Sequence, residues 1–167
     1  MPTRHTKETG FSRDAREFLI LLLHHKVRYL IVGGEAVIYY GYARLTGDID
    51  IFYSCSKPNA LRLFKALSAF WSGSVPGVGA AEELMEPGVI VQFGRPPFRI
   101  DLINKINGVM FAKAWRARED VTFTAEGCPI QIHYIGLEDL VRNKACTARP
   151  KDLDDLQYLK RRALKQR

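Results

Sequence analysis

The stretch Gly47-Asp48-Ile49-Asp50-Ile51-Phe52-Tyr53 decides how this chain is read. Ile49 to Tyr53 has the β-branched and aromatic make-up of a strand. Side chains two apart on a strand share a face, so Asp48 and Asp50 emerge side by side. Like charges held that close repel, and a fold tolerates them when protons or a cation neutralise them. Hard carboxylate oxygens of this kind suit Mg²⁺ or Mn²⁺. Upstream, Val27 to Val32 is a second predicted strand, stopped by Gly33-Gly34, and Glu35 to Tyr40 reads as a short apolar helix closed by Gly41. A Gly-Gly turn between strand and helix leaves backbone N–H groups where an anion can be cradled. Downstream, Asp101 sits in the predicted strand Phe98 to Ile103, and a lone carboxylate among apolar residues needs a partner. If the two acid-bearing strands are neighbours, Asp101 joins Asp48 and Asp50 on one face. Three carboxylates there suit metal-assisted phosphoryl transfer.

The rest of the chain alternates between helical and strand patterns. Ser12 is the predicted N-cap of a helix whose apolar face carries Ala15, Phe18, Leu19, Leu22 and Leu23, with His24, His25 and Lys26 in its last turn. Pro58 begins a helix with Leu61, Phe64, Leu67 and Ala69/Phe70 on its expected buried side. Ser72 to Gly79 reads as loop, and Val89 to Phe93 pairs with Phe98 to Ile103 as a hairpin through Gly94-Arg95-Pro96-Pro97. Phe111 to Glu119 is expected to be helical, and Val121 to Thr124 and Ile130 to Ile135 to be strands around Glu126-Gly127. Helices over Leu137 to Cys146 and from Lys151 onward close the pattern. The fold class is α/β (α+β), a small mixed sheet flanked by helices. Residues 1–10 are expected to be a flexible N-terminus, 11–167 a single domain, and 137–167 its basic C-terminal helices. Trp71 and Trp115 are read as packing against the sheet, with stacking on a nucleobase as the other reading, Tyr39, Tyr40 and Tyr42 as core or as lining a nucleotide pocket, and His133 as an ordinary strand residue.

Composition sets the outer limits. With 167 residues, 47% hydrophobic and 26% charged, the chain is neither disordered nor fibrous. The apolar run Phe18 to Leu23 falls far short of the roughly 20 residues of a membrane span, so no membrane partner is expected. Cys55, Cys128 and Cys146 are odd in number and scattered, which argues against a disulfide framework or a zinc site and for a cytoplasmic setting. The net charge of +7 is concentrated towards the end, where Arg142 to Arg167 attracts polyanions such as RNA, though cations there also suit a helix C-terminus.

The run Val32-Gly33-Gly34-Glu35-Ala36-Val37, continuing to Arg44-Leu45-Thr46-Gly47-Asp48-Ile49-Asp50, resembles the DNA polymerase beta-like nucleotidyltransferase superfamily. Within it, the chain is similar to the AbiEii-toxin-like branch of minimal bacterial nucleotidyltransferases, in which an Arg-x-Lys-Asp segment such as Arg149 to Asp152 follows the sheet. The resemblance implies a metal-dependent enzyme that moves NMP from an NTP to an acceptor hydroxyl and releases pyrophosphate. RNA or tRNA 3′ ends are the favoured acceptors, with protein or small molecules as other candidates. It implies that Asp48, Asp50 and Asp101 ligate Mg²⁺ and that Asp101 acts beside the acceptor hydroxyl. Gly33, Gly34, Arg44, Thr46 and Lys144 would serve the nucleotide, with Arg44 either touching phosphate or, as slightly favoured, pairing with Asp48. An antitoxin partner, and a catalytically weak member of such a pair, also fall within that branch. Glu35 departs from the superfamily, which usually places Ser or Thr beside the second Gly. A carboxylate there either points away from the phosphates or weakens their binding.

Overall fold

The computed structural model describes residues 10–125 and 127–165. The expected flexible N-terminus thus falls outside the described residues except for Gly10, as do Glu126 of the expected turn and the last two residues. Helix α1 (Arg13–His24) begins where Ser12 Oγ accepts the Ala15 N–H at 3.2 Å. Strand β1 (Tyr29–Val32) runs straight into α2 (Gly33–Tyr39), so the helix starts at the first glycine rather than at Glu35. Then come β2 (Ile49–Tyr53), α3 (Lys57–Phe70), a 3₁₀ turn at Ala81–Met85 and the hairpin β3 (Ile90–Arg95) and β4 (Phe98–Ile103). Helix α4 (Phe111–Arg116) is shorter than expected: Glu119 already belongs to β5 (Glu119–Ala125), which pairs with β6 (Cys128–Tyr134). Helices α5 (Leu137–Thr147) and α6 (Pro150–Leu164) follow.

All six strands form one mixed sheet in the order β3-β4-β2-β1-β6-β5. β1 is antiparallel to β2 and parallel to β6, while β2 is parallel to β4. Strand alternation divides the sheet's faces. Phe93, in register with Ile100, meets Phe18 of α1, so α1 and α3 cover that face through Phe18, Leu19, Leu63 and Leu67. Phe52, on the opposite face with Asp50, meets Phe111 of α4. The acids therefore lie on the face away from α1.

Three apolar side chains expected to be buried are not. Leu61 is 42% exposed and Ala69 is also exposed, because α3 turns Ala60, Leu63, Ala66 and Leu67 inward instead. Leu23 is likewise on the rim of its helix, at 39%. Polar burial was the harder feature to foresee. Asn59 is buried and bonds the Arg28 N–H (2.7 Å), the Arg28 carbonyl (3.0 Å) and the Ser54 carbonyl (2.8 Å), tying α3 to the start of β1 and the end of β2. The three cysteines are free and exposed. Among the described residues no helix is long and apolar enough to cross a membrane.

Candidate active site

Register brings the acids together. Parallel pairing of β2 with β4 sets Asp50 opposite Asp101, and antiparallel pairing with β1 sets the same Asp50 opposite Val32, the residue before Gly33. Gly33 has φ +64°, a left-handed conformation costly for any side chain, and a Cβ built there would collide with Asp50 Oδ2. Glycine is thus required twice over, by the backbone and by the carboxylate resting on it. Gly34 is different: a Cβ there would stand 3.2 Å from Thr46 Oγ1 and 3.6 Å from Arg44 Nη2. Thr46 in turn bonds the Asp48 carbonyl at 3.3 Å. Gly33, Gly34, Arg44, Thr46, Asp48, Asp50 and Asp101 therefore form one cluster.

Arg99 stands between the acids. Its Nε and Nη2 donate to the two oxygens of Asp101 at 2.8 and 3.0 Å, Nη2 is 3.6 Å from Asp48 Oδ2, and its backbone N–H donates to Asp48 Oδ1 at 3.3 Å. Asp50 has no such relief. Burial, then the charges of Asp101 and Asp48, push its carboxyl up to about 6, with Lys144 and Lys151 pulling it back. The donor chemistry fits a hard divalent cation, since Asp50 is an under-compensated carboxylate facing two more acids. As the side chains stand, no group of three or more His, Cys, Asp or Glu among the described residues is arranged to hold a metal ion, and Arg99 supplies the positive charge.

Behind the cluster lies a buried ion network. Lys144, only 4% exposed, donates to Asp152 at 2.7 Å and lies 3.0 Å from Asp155. Arg44 reaches both oxygens of Asp155 at 2.5 and 2.6 Å. Arg149 caps α6 by bonding Asp152 with its Nε at 2.7 Å and its N–H at 3.3 Å. Burial opposes the ionisation of Asp152, but the Arg149 and Lys144 bonds outweigh it and hold the carboxyl below its usual range. The slightly favoured Arg44–Asp48 pair is therefore corrected: Arg44 is turned to α6, where two ammonium or guanidinium partners and deep burial stabilise Asp155 better than the half-exposed Asp48 would be. Lys144 is no surface lysine either. Its ammonium faces inward, close enough to Asp50 to favour that carboxylate's charged form.

A family model described as "Nucleotidyltransferase of unknown function (DUF6036)" matches residues 13–161. The chain belongs to that nucleotidyltransferase family. The match runs from the start of α1 into α6 and so takes in every residue of the cluster. No curated protein matches the chain.

In this nucleotidyltransferase-family protein, sequence reasoning overlooked the role of Arg99 and the pairing of Asp152 and Asp155. The signal for Arg99 was present: it lies two residues before Asp101 on one strand and so shares its face. Glu35 is pushed up to about 7 by burial and lines, with Thr46, Gly47 and Arg99, a cavity of about 10 Å³, roughly one water. A carboxyl that is half-protonated near neutrality repels a phosphate less than an ordinary glutamate would. Trp71 packs on Phe93 and Tyr39 on Tyr134, as expected of core aromatics.

Proposed function

We propose that this protein transfers a nucleotidyl group from an NTP to an acceptor hydroxyl. The observation that carries the reading is the in-register pairing of Asp50 with Asp101 beside Gly33, with Asp48 bridged to Asp101 through Arg99. Asp48 and Asp50 would hold a divalent cation, Mg²⁺ or Mn²⁺, which when bound polarises phosphate oxygens as a Lewis acid. The backbone of Gly33 and Gly34, where no side chain caps α2, is left to the phosphates. Arg99 turns from Asp101 to the incoming triphosphate, which a guanidinium also grips bidentately. Asp101, released, receives the acceptor proton. The acceptor oxygen bonds to the α-phosphorus as the bond from that phosphorus to the bridging oxygen breaks, and pyrophosphate leaves with the electron pair. Lys144 and Arg44 act from behind: they hold the segment bearing Thr46 against α2, and the Lys144 charge offsets the field of Asp50.

The favoured acceptor is RNA, on the strength of the +7 net charge. Membership of the AbiEii-toxin-like branch, with an antitoxin as partner, is supported by the Arg149-x-Lys151-Asp152 segment and its place in the ion network. One observation favours a second reading, nucleotide binding without turnover: Arg99 holds both oxygens of Asp101. Incubation with each α-labelled NTP, Mg²⁺ and total RNA separates the two. Label transfer that disappears in Asp48→Asn and Asp50→Asn supports the enzyme; saturable NTP binding with no transfer to RNA, protein or small hydroxyl acceptors overturns it.

A further inference from the structure

At the opposite end of β1 from the acids lies a groove of about 350 Å³, lined by Leu23, Val27, Tyr29, Trp115 and His133 and by the cations Lys26, Arg28 and Arg62. Its volume falls within the range of ligand sites. Three observations converge on it. Lys26, Arg28 and Arg62 have no carboxylate partner among the described residues, while Asp120, which bonds the groove's His133 at Nδ1 (2.6 Å), is also taken by Arg118 at 2.8 Å. The Tyr29 hydroxyl is buried with no hydrogen-bond partner, at a residue only 1% exposed; the nearby His133 backbone completes no bond with it. Orphaned buried hydroxyls are rare and costly, so this one points to a ligand. Around it the rings pack on one another: Tyr29 is 5.4 Å and Trp115 5.0 Å from His133, and Trp115 stacks on Phe111 and carries the Arg118 guanidinium at 3.9 Å, with Arg28 at 6.0 Å, so the half-buried Trp115 is the ring that reaches the groove.

We propose that this groove is a single-stranded RNA site. Three unpaired cations beside a half-buried tryptophan suit a phosphate-linked strand of bases, because the phosphates supply the affinity and the exposed part of Trp115 can take a base. The tyrosine hydroxyl gives a 2′-hydroxyl or a base edge the hydrogen bond the groove otherwise lacks. The charge extends beyond the groove, since the exposed Lys65 lies one turn from Arg62 on α3. A series of phosphates meets such a track better than a single mononucleotide does. An acidic peptide would satisfy the cations but bring no planar base to the exposed part of Trp115. If the bound strand is the acceptor, the site belongs to the transfer reaction proposed above, and to that extent it rests on that reading; binding itself does not.

The test is fluorescence anisotropy with a short labelled single-stranded oligouridylate, using Asp48→Asn/Asp50→Asn protein so that no turnover intervenes. Arg28→Glu/Arg62→Glu is expected to weaken binding at least about tenfold and to reduce the slope of log affinity against log salt by about 1.4, two contacts at about 0.7 each. The milder Lys26→Gln/Arg62→Gln, checked for an unchanged circular dichroism melt, should weaken it in the same direction. In Trp71→Phe protein, the remaining Trp115 should be quenched by the strand. Equal affinity for polyglutamate, displacement by AMP at the same concentration as the strand, or full binding by both double variants each overturns the proposal. So does loss of binding only on Arg161→Glu/Arg162→Glu in α6. Failed transfer with intact strand binding refutes the enzyme and leaves the groove standing; the reverse refutes the groove alone.

Discussion

Replacing Lys144 by Met removes an ammonium that serves two buried carboxylates at once, at 2.7 Å from Asp152 and 3.0 Å from Asp155. Breaking a buried ion pair on one side costs about 3–5 kcal/mol, since the abandoned charge keeps its desolvation penalty. Here each acid retains one partner, Arg149 for Asp152 and Arg44 for Asp155, so the expected loss is lower, about 2–4 kcal/mol. Adding Asp152→Asn removes the charge left behind, and the double-mutant cycle should return a coupling of about 1–3 kcal/mol. The sign of the pH effect follows from Asp152, whose carboxyl is held below its usual range in the folded protein. Its contribution is present above the ordinary aspartate range and is lost as pH falls through the folded value. Without Lys144 that folded value rises, so the acid-unfolding midpoint moves up. Urea unfolding followed by circular dichroism, near neutrality and near about pH 4, measures both effects. A loss below about 0.5 kcal/mol, of the size typical for a surface substitution, would refute the view that the network holds the C-terminal helices to the site.

Gly33→Ala should cost about 1–2 kcal/mol for its left-handed backbone and also displace Asp50, whereas Gly34→Ala, with ordinary φ, should stay within about 0.5 kcal/mol; denaturant titration compares them. Glu35, raised to about 7, makes the folded protein less stable as pH climbs from the usual carboxylate range to neutrality. Glu35→Gln should flatten that fall and be more stable at neutral pH by about 1–2 kcal/mol, after discounting for partial exposure, as read from melts across pH. Asp50→Asn in EDTA should gain about 1–2 kcal/mol near neutrality, because it removes a carboxylate raised to about 6 by burial and its neighbours; the same variant should lose NTP-dependent labelling.

Much of the site could be read from the sequence because strand alternation and glycine punctuation are local signals. Asp48-Ile49-Asp50, Gly33-Gly34 and Asp101 could be found residue by residue, and β2 has the predicted bounds. That β2 and β4 are neighbours is a conditional expectation from sequence, and their parallel sense and register are not legible there, since pairing between distant strands has no local signature. Long-range ion pairs were harder still. Arg44 and Asp155 are 111 positions apart, and nothing in the composition of either segment marks the other as its partner. Leu61 shows the opposite failure: an apolar residue in a helical pattern suggested burial, but the angular position of α3 against the sheet left it on the rim.

The pairing of Arg44 with Asp155 also bears on synthesis. The acid-bearing strands come from the first two thirds of the chain, yet the segment carrying Thr46 is fixed by a residue in the first half of α6. Translation proceeds from the N-terminus, so a ribosome-bound polypeptide can lay β1 against β2 early but gains its last brace only after α6 has left the exit tunnel. Until then Asp50 and its neighbours repel one another with neither Lys144 nor α6 docked to offset them. A premature stop before α6 would therefore yield a protein with its acids present and their scaffold missing.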